Sequence, residues 1–291
     1  MCGDFLVESG IYPKSMPTPP ELELGGAGTP AREVLGAADK RARVPAPHKQ
    51  VTEVSCLSHF LRIMNLLLLG RGKTGSLVAD VARERKHHVR VAGATENANC
   101  AAVTAEKLRD IDVVIDFTTP QCVVANIEAC IRAGKNMVVG TTGWYDVRDR
   151  IRELVDARDT GFIYASNFSI GVNLFFDVAR IAAEALRHNY TGQIFERHYA
   201  QKKDAPSGTA FAIQRVIREG SGKEENLEII SFREGEVVGM HEVVFESLND
   251  SIYLCHDAVS RRGFAEGAVH AAEWIAGKKG FYDFKNVWRE L

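Results

Sequence analysis

The stretch Asn65 to Gly75 reads N-L-L-L-L-G-R-G-K-T-G, and it decides the fold. Four successive leucines predict a short strand that is buried on both faces. The G-x-G-x-x-G spacing of Gly70, Gly72 and Gly75 is often only a loop, but a strand before it and a helix after it favour a dinucleotide-binding turn. In such a turn Gly70 makes the tight bend, Gly72 lets a pyrophosphate approach, and Gly75 lets the helix pack closely.

Strands and helices alternate from Met64 to Phe168. Strands are predicted at residues 65–69, 89–94, 113–117, 137–139 and 162–165, and helices near residues 74–85, 121–133 and 147–156. Strands that alternate with helices form βαβ units. This part of the chain therefore predicts an α/β, Rossmann-type domain built on a parallel sheet.

The pattern changes after residue 168. A long helix is predicted over about residues 173–188, and strands follow at residues 193–199, 227–232, 242–246 and 252–255. Residues 169–262 therefore predict a second, α+β domain with an open mixed sheet. In the tail, residues 263–291, helices are predicted over residues 265–276 and 284–289, and we expect the tail to pack back on the first domain and complete it.

Residues 1–63 have a different composition from the rest of the chain. Seven of the nine prolines lie between Pro13 and Pro47, and no helix or strand period is sustained there. This segment predicts loop or disorder. Since no apolar core of a secretory signal is present, we expect either a disordered leader or a mis-assigned start, with translation beginning at Met64.

Three further motifs follow predicted strands at the edge where open α/β sheets bind their ligands. They are D-F-T-T-P at Asp116–Pro120, V-G-T-T-G-W at Val139–Trp144 and A-S-N-F at Ala165–Phe168. Glu96 lies 21 residues after Gly75, where an acidic residue commonly accepts from the adenosine ribose. Asn97 rather than arginine follows it, which mildly favours NADH, although Arg71 and Lys73 could still reach a 2′-phosphate.

A second stretch, Glu196–Ala210, reads E-R-H-Y-A-Q-K-K-D-A-P-S-G-T-A. Ser207 is a good N-cap for the helix predicted from Thr209, whose first N–H groups suit a carboxylate or phosphate. His198 and Lys202 are four residues apart, so they would share one face of a strand. A capped surface helix after a polar strand is the alternative interpretation.

Composition narrows the class of partner. The formal charge is −2 and the pI is about 6.5, so the sequence has no basic footprint for nucleic acid or an anionic membrane. No apolar run approaches the roughly 20 residues that span a bilayer. The six cysteines show neither a C-x-x-C pair nor a metal-ligand spacing, and we expect reduced thiols, no metal and a cytoplasmic location.

Together these motifs resemble the dihydrodipicolinate reductase family, the 4-hydroxy-tetrahydrodipicolinate reductases. The resemblance covers residues 64–291, in the family's order, and ends with R-R-G-F-A-E-G-A-V from Arg261. The most specific part is the lysine before D-A-P-S-G-T-A. Two residues depart from the family pattern: Tyr199 stands where a second histidine is common, and Thr74 stands where a methionine is common.

The resemblance implies an NAD(P)H-dependent reduction of a small cyclic dicarboxylate, with residues 169–262 binding the substrate and forming a homotetramer. It implies that His198 and Lys202 are catalytic and that Gly208 and Thr209 bind the substrate, with Tyr199 as a substrate contact in place of the second histidine. The implied cofactor contacts are Gly70, Arg71, Gly72, Lys73, Thr74, Gly75, Glu96, Gly140, Thr141, Thr142, Ala165, Ser166, Asn167 and Phe168.

Two other functions would account for part of the sequence pattern. Another two-domain dehydrogenase, for an amino acid or a sugar, would share the glycine turn but would not explain Lys202 two residues before D-A-P-S-G-T. A nucleotide-sensing protein that had lost its chemistry predicts loss of His198 or Lys202, and both are present.

Overall fold

The computed structural model describes residues 62–291. The strands in chain order are β1 Asn65–Leu69, β2 His88–Ala92, β3 Val113–Asp116, β4 Asn136–Val139, β5 Gly161–Tyr164, β6 Thr191–His198, β7 Ile229–Arg233, β8 Met240–Glu246, β9 Ser251–Asp257 and β10 Gly280–Asp283. The helices are α1 Lys73–Glu84, α2 Pro120–Arg132, α3 Arg148–Arg158, α4 Ile170–Ala182, α5 Gly208–Ser221, α6 Arg262–Ile275 and α7 Phe284–Val287. The predicted leader lies almost entirely outside the described residues.

The first sheet is parallel, with the strand order β10-β5-β4-β3-β1-β2. The leucines of β1 are almost fully buried because helices cover both faces of the sheet. Side chains of α1 and α6 pack on one face, and those of α2 and α3 pack on the other. This arrangement brings the carboxyl ends of all six strands to one edge, where ligands bind in such sheets.

The second sheet is mixed and has the order β7-β6-β8-β9. Strand β6 pairs parallel with β7 and antiparallel with β8, and β8 pairs antiparallel with β9. Helices α4 and α5 pack together, and their apolar side chains form a separate core with those of β6 and β8. The other face of this sheet carries exposed side chains, among them Phe232 and Tyr253.

The predicted fold class, a Rossmann-type sheet plus a mixed α+β sheet, is confirmed. The sequence pattern missed one strand of the first sheet. Residues 280–283, between the two predicted helices of the tail, form β10, which pairs with β5 at the sheet edge. The segment is too short, and too close to the helical runs on either side, for a period of two to stand out.

Among residues 62–291, no helix combines the length and the apolar character that crossing a membrane requires.

Candidate active site

The glycine turn after β1 is shaped by contacts of its own backbone. Gly70 has φ of +104°, and a Cβ there would lie 2.2 Å from the carbonyl oxygen of Phe117. A Cβ on Gly75 would lie 2.5 Å from the carbonyl oxygen of Gly70. At Gly72, the N-cap of α1, no heavy atom of the described chain lies within 4 Å of that position. The turn is therefore packed at its two ends and open in the middle, as a pyrophosphate cradle requires.

Glu96 and Arg71 face each other beside this turn. Arg71 Nη2 lies 2.9 Å from Glu96 Oε1, and Glu96 Oε2 accepts a hydrogen bond from Gly93 N at 3.1 Å. Both side chains are about half exposed, so a ligand can reach them. A ribose hydroxyl or a 2′-phosphate would meet both charges here.

Asp116, at the end of β3, is fully buried and holds together the loops that follow β3 and β4. Its carboxylate accepts hydrogen bonds from the hydroxyls of Thr118 and Thr141 at 2.7 Å and from Asn126 Nδ2 at 2.8 Å. Burial raises the pKa of Asp116, against the lowering effect of these bonds. The hydroxyl of Thr141 therefore donates its hydrogen to Asp116 and not to a ligand. At Gly140 a Cβ would lie 2.3 Å from the ring of Phe117, so a side chain there would clash with that ring.

Four residues of the loop after β5 were predicted to contact the cofactor; three of them line the cleft, and the side chain of the fourth lies in the core. Ala165, Ser166 and Asn167 line the cleft described below. The Oδ1 atom of Asn167 accepts from Ser169 N, which leaves its NH₂ group for a ligand. Phe168 is buried against Phe284, with ring centroids 4.8 Å apart, so its side chain belongs to the core.

His198 ends strand β6 and sits above a buried carboxylate. Its Nδ1 atom lies 3.2 Å from Oε2 of Glu196, whose side chain is fully buried two residues earlier on the same strand face. Burial raises the pKa of Glu196, but its hydrogen bonds, that of His198 foremost, outweigh burial and hold the pKa well below the ordinary range. The charged form of Glu196 is therefore the stable one beside His198.

His241 completes this buried cluster from the neighbouring strand β8. Its ring meets that of His198 edge-on, with centroids 5.1 Å apart, and its Nε2 atom lies 3.2 Å from Ser207 Oγ. Burial lowers the pKa of His241 to about 3, and the charge of His198 adds to the effect. The side chain is neutral near pH 7.

Lys202 does not share a strand face with His198, contrary to the sequence prediction. Strand β6 ends at His198, and Lys202 follows in a turn whose backbone is fixed by a hydrogen bond from Lys202 N to Tyr199 O. Its Nζ atom donates to both carboxylate oxygens of Asp204, at 2.7 and 2.8 Å. The turn, rather than the pleat, brings the ammonium group back to the cleft that His198 lines.

Helix α5 begins at Gly208 with Ser207 as its N-cap. Ser207 Oγ accepts from Ala210 N at 3.2 Å, and its carbonyl accepts the first intrahelical bond. The N–H groups of Gly208 and Thr209 precede that bond and have no acceptor within the helix. With the positive end of the helix dipole they form an anion site.

One cleft of about 990 Å³ joins these parts. His198, Lys202, Gly208 and Thr209 line it from one side, and Thr142 with the loop after β5 lines it from the other. Six arginines and lysines and four acids line it, so it carries an excess of positive charge. Such a lining suits a substrate with more than one carboxylate.

Tyr199 lies next to the cleft residues but outside its lining. Its ring is flanked by two cations, with Lys73 Nζ 5.8 Å and Arg261 Cζ 5.4 Å from the ring centroid. Lys73 is the first residue of α1, so Tyr199 joins the end of β6 to the cofactor turn. A direct contact of Tyr199 with substrate stays a prediction.

Glu196 and Asp116 have roles in the site that no sequence motif predicted. A spacing of two between Glu196 and His198 on a predicted strand was the available signal for the first. Glu196, His198 and His241 also place one ligand atom each within 4.8 Å of one another. The expectation of no metal therefore stays a prediction.

Two family models match this chain. The model of the dihydrodipicolinate reductase N-terminus matches residues 64–168, and that of the C-terminus matches residues 171–288. The 4-hydroxy-tetrahydrodipicolinate reductase of Christiangramia forsetii is 37% identical over 242 residues, which are 78% of this chain and 99% of that protein. The Chromobacterium violaceum protein of the same name is 40% identical over 195 residues, 60% of this chain and 73% of that protein.

A solved structure shares the fold. The dipicolinate-bound dihydrodipicolinate reductase of Paenisporosarcina sp. TG-14 superposes with a TM-score of 0.63 at 24% identity, covering 77% of this chain and 99% of that one. The family models together span the described sheets, and the cleft joins the two matched parts. The chain belongs to the dihydrodipicolinate reductase family.

Proposed function

We propose that the cleft reduces 4-hydroxy-tetrahydrodipicolinate with NAD(P)H and that His198 and Lys202 carry the catalysis. The observation that supports these roles most strongly is that His198, Lys202 and the N-terminus of α5 line the same cleft as the loop after β5. An acid, a cation and an anion site then face one small molecule.

The residues present fit a nicotinamide dinucleotide. The backbone at Gly72 is open, Glu96 and Arg71 stand beside it, and the loops after β4 and β5 end at the cleft. When bound, the cofactor supplies the hydride that reduces the ring. We propose a mild preference for NADH, since Glu96 is followed by Asn97 rather than by a cation.

The protein's own groups bind, orient and protonate the substrate. The N–H groups of Gly208 and Thr209 bind one carboxylate of the substrate. Lys202 breaks its ion pair with Asp204 and binds a carboxylate or the ring of the substrate instead. Protonated His198 carries one hydrogen on Nδ1, which faces Glu196, and one on Nε2; it donates the Nε2 proton to the carbon next to the reduced one after loss of water and keeps the Nδ1 hydrogen. Such general-acid help is worth about 10² to 10⁴ in rate.

The test is a coupled assay in which a synthase generates the substrate and absorbance reports oxidation of NADH or, separately, NADPH. His198→Ala and Lys202→Ala should each lower kcat at least about tenfold while cofactor binding survives. His188→Ala and Lys203→Ala replace an exposed histidine and an exposed lysine outside the cleft lining, and they should leave kcat unchanged. Near-normal turnover of either active-site variant would remove that residue from the mechanism.

We also propose a homotetramer built through the open face of the second sheet. Tyr253 is 63% exposed and Phe232 is 42% exposed on that sheet, which is unusual for large apolar side chains without a partner. Analytical ultracentrifugation of the wild type and of Tyr253→Lys should show a tetramer that the substitution weakens. A monomer in the wild type would contradict the proposal.

A cytoplasmic location completes the proposed function. Cys100, Cys122, Cys130 and Cys255 are all free thiols in the described structure, as a reducing compartment would keep them. Fractionation of cells that express the chain, with immunodetection, tests this location.

A further inference from the structure

Glu196 lies between the proposed proton donor, His198, and the N-terminus of α5, where the substrate carboxylate is proposed to bind. Its Oε1 atom accepts hydrogen bonds from Ser207 N at 3.0 Å, Ser231 Oγ at 2.7 Å and Arg233 Nη2 at 2.7 Å. Its Oε2 atom faces Nδ1 of His198. One oxygen therefore holds the N-cap residue of α5, and the other lies against the proton donor.

The contact between Glu196 and His198 joins two buried atoms that have no other hydrogen-bond partner in the described part of the chain. Oε2 of Glu196 and Nδ1 of His198 are both buried, and neither has a hydrogen-bond partner among the described residues; they lie 3.2 Å apart, but the contact is not aligned as a hydrogen bond. A buried polar atom without a hydrogen-bond partner destabilises the folded state. A hydrogen bond between these two atoms would satisfy both of them at once. Catalytic hydrogen bonds are often poorly aligned before ligands bind and tighten in the complex.

We propose that Glu196 is a positioning residue that fixes the proton donor and the carboxylate site relative to each other. Its carboxylate accepts the Nδ1 hydrogen of His198, which directs Nε2 toward the cleft. The same carboxylate anchors Ser207 N, and hence the first turn of α5. This inference rests on the proposed role of His198 and adds to it a residue that does not touch the substrate.

The charges around Glu196 keep it ionised for this task. Arg233 supplies a permanent positive charge, and its Nη2 atom also donates to Asp204 O at 2.6 Å. His241, the other titratable group against Glu196, is neutral, so it adds no competing charge. Proton donation by His198 then leaves a neutral ring beside an ion pair, and no isolated charge is created in the buried cluster.

The decisive experiment is a double-mutant cycle on kcat with Glu196→Gln and His198→Ala. Glu196→Gln keeps the shape but loses the charge, so kcat should fall at least about tenfold while KM for NAD(P)H stays the same. Substrate KM should rise, because Ser207 N loses its charged acceptor. In the His198→Ala background, Glu196→Gln should lower kcat no further, because its effect on chemistry passes through the ring.

Glu273→Gln is the matched control. Glu273 is a largely buried carboxylate that, like Glu196, lies against an arginine and a histidine, here Arg85 and His87, and it is outside the cleft lining. Its substitution should lower stability and leave kcat within about twofold of the wild type. If Glu196→Gln does not fold, Glu196→Asp keeps the charge opposite Arg233 but withdraws it from His198, and the same cycle applies.

The ¹⁵N signals of the His198 ring give an independent readout. In the wild type the neutral ring should carry its hydrogen on Nδ1, and Glu196→Gln should move part of the population to Nε2. Wild-type turnover in Glu196→Gln, or a loss that multiplies with that of His198→Ala, would overturn the inference. If His198→Ala itself turns over normally, the proposed role of His198 fails instead, so the two failures are distinguishable.

Discussion

A methyl group on Gly239 would lie 3.0 Å from Nε2 of His198, the nitrogen that we propose donates the proton. Gly239 directly precedes β8, and its Cα atom packs against the His198 ring on the side where a Cβ would otherwise stand. The absence of a side chain at residue 239 is thus part of how His198 is placed.

Gly239→Ala should push the His198 ring aside by a few tenths of an ångström. We expect kcat to fall about tenfold, since small misplacements of a reacting group are expensive in rate. KM for NAD(P)H and the unfolding midpoint should change little. Turnover equal to the wild type would show that the ring has another acceptable position.

Gly208→Ala separates substrate binding from folding. No heavy atom of the described residues lies within 4 Å of the position of the added methyl, so stability should stay the same or rise by about 0.5 kcal/mol. The methyl would instead stand where a carboxylate approaches α5, and we expect substrate KM to rise about tenfold. An unchanged KM would place the carboxylate elsewhere.

Gly72→Ala is the counterpart of that variant in the cofactor turn. It has the same open surroundings. We expect KM for NAD(P)H to rise about tenfold while substrate KM holds. Steady-state kinetics with each ligand varied in turn checks both variants. If Gly72→Ala raised substrate KM and Gly208→Ala raised KM for NAD(P)H, the cofactor and substrate sites would have to be exchanged.

The Glu96–Arg71 pair should set the choice of coenzyme. Glu96→Gln removes the charged acceptor for a ribose hydroxyl, so KM for NADH should rise about fivefold. KM for NADPH should change less, because Arg71 is then free to meet the 2′-phosphate. Equal changes for the two coenzymes would assign Glu96 a purely structural role.

His241 should make folding sensitive to mild acid. Its pKa in the folded protein, about 3, is below the ordinary histidine value of 6.5, so below pH 6.5 the unfolded chain binds a proton that the folded chain does not. Stability is therefore lost as pH falls from 6.5 toward 3, by about 1 kcal/mol between pH 7 and pH 5.5. His256 and His270, whose pKa values burial also lowers, act in the same direction.

Urea unfolding of the wild type and of His241→Asn at these two pH values isolates the contribution of His241. The variant should lose about 1 kcal/mol less than the wild type over that interval. Equal losses would mean that His241 is protonated in the folded protein near its ordinary pKa.

The sequence predicted the sheet and the two ends of the cleft because both rest on local chemistry. Four leucines before Gly70 specify a buried strand, and Ser207 specifies a helix start. The alternation also predicted every strand of the first sheet except β10, whose partner β5 lies more than a hundred residues away in the chain.

The buried supports of the site could not be predicted with the same ease. Glu196 depends on Arg233 and Ser231, which come from another strand, and no local pattern links them to His198. The position of Lys202 also depends on a turn, where the rule of alternating strand faces does not apply. The packing of the Phe168 side chain against Phe284, a residue from the far end of the chain, also has no local signal, and the cofactor contact of Phe168 stays a prediction.

The most direct test of the central claim is to follow the hydride itself. Reduced cofactor carrying deuterium at C4, prepared in each of its two stereochemical forms, would be mixed with the chain and freshly generated substrate, and the product analysed by mass spectrometry. Our account predicts a single deuterium in the tetrahydrodipicolinate from one of the two forms, with transfer slowed in His198→Ala. Product without deuterium from either form, or no oxidation of the cofactor by the wild type, would contradict it.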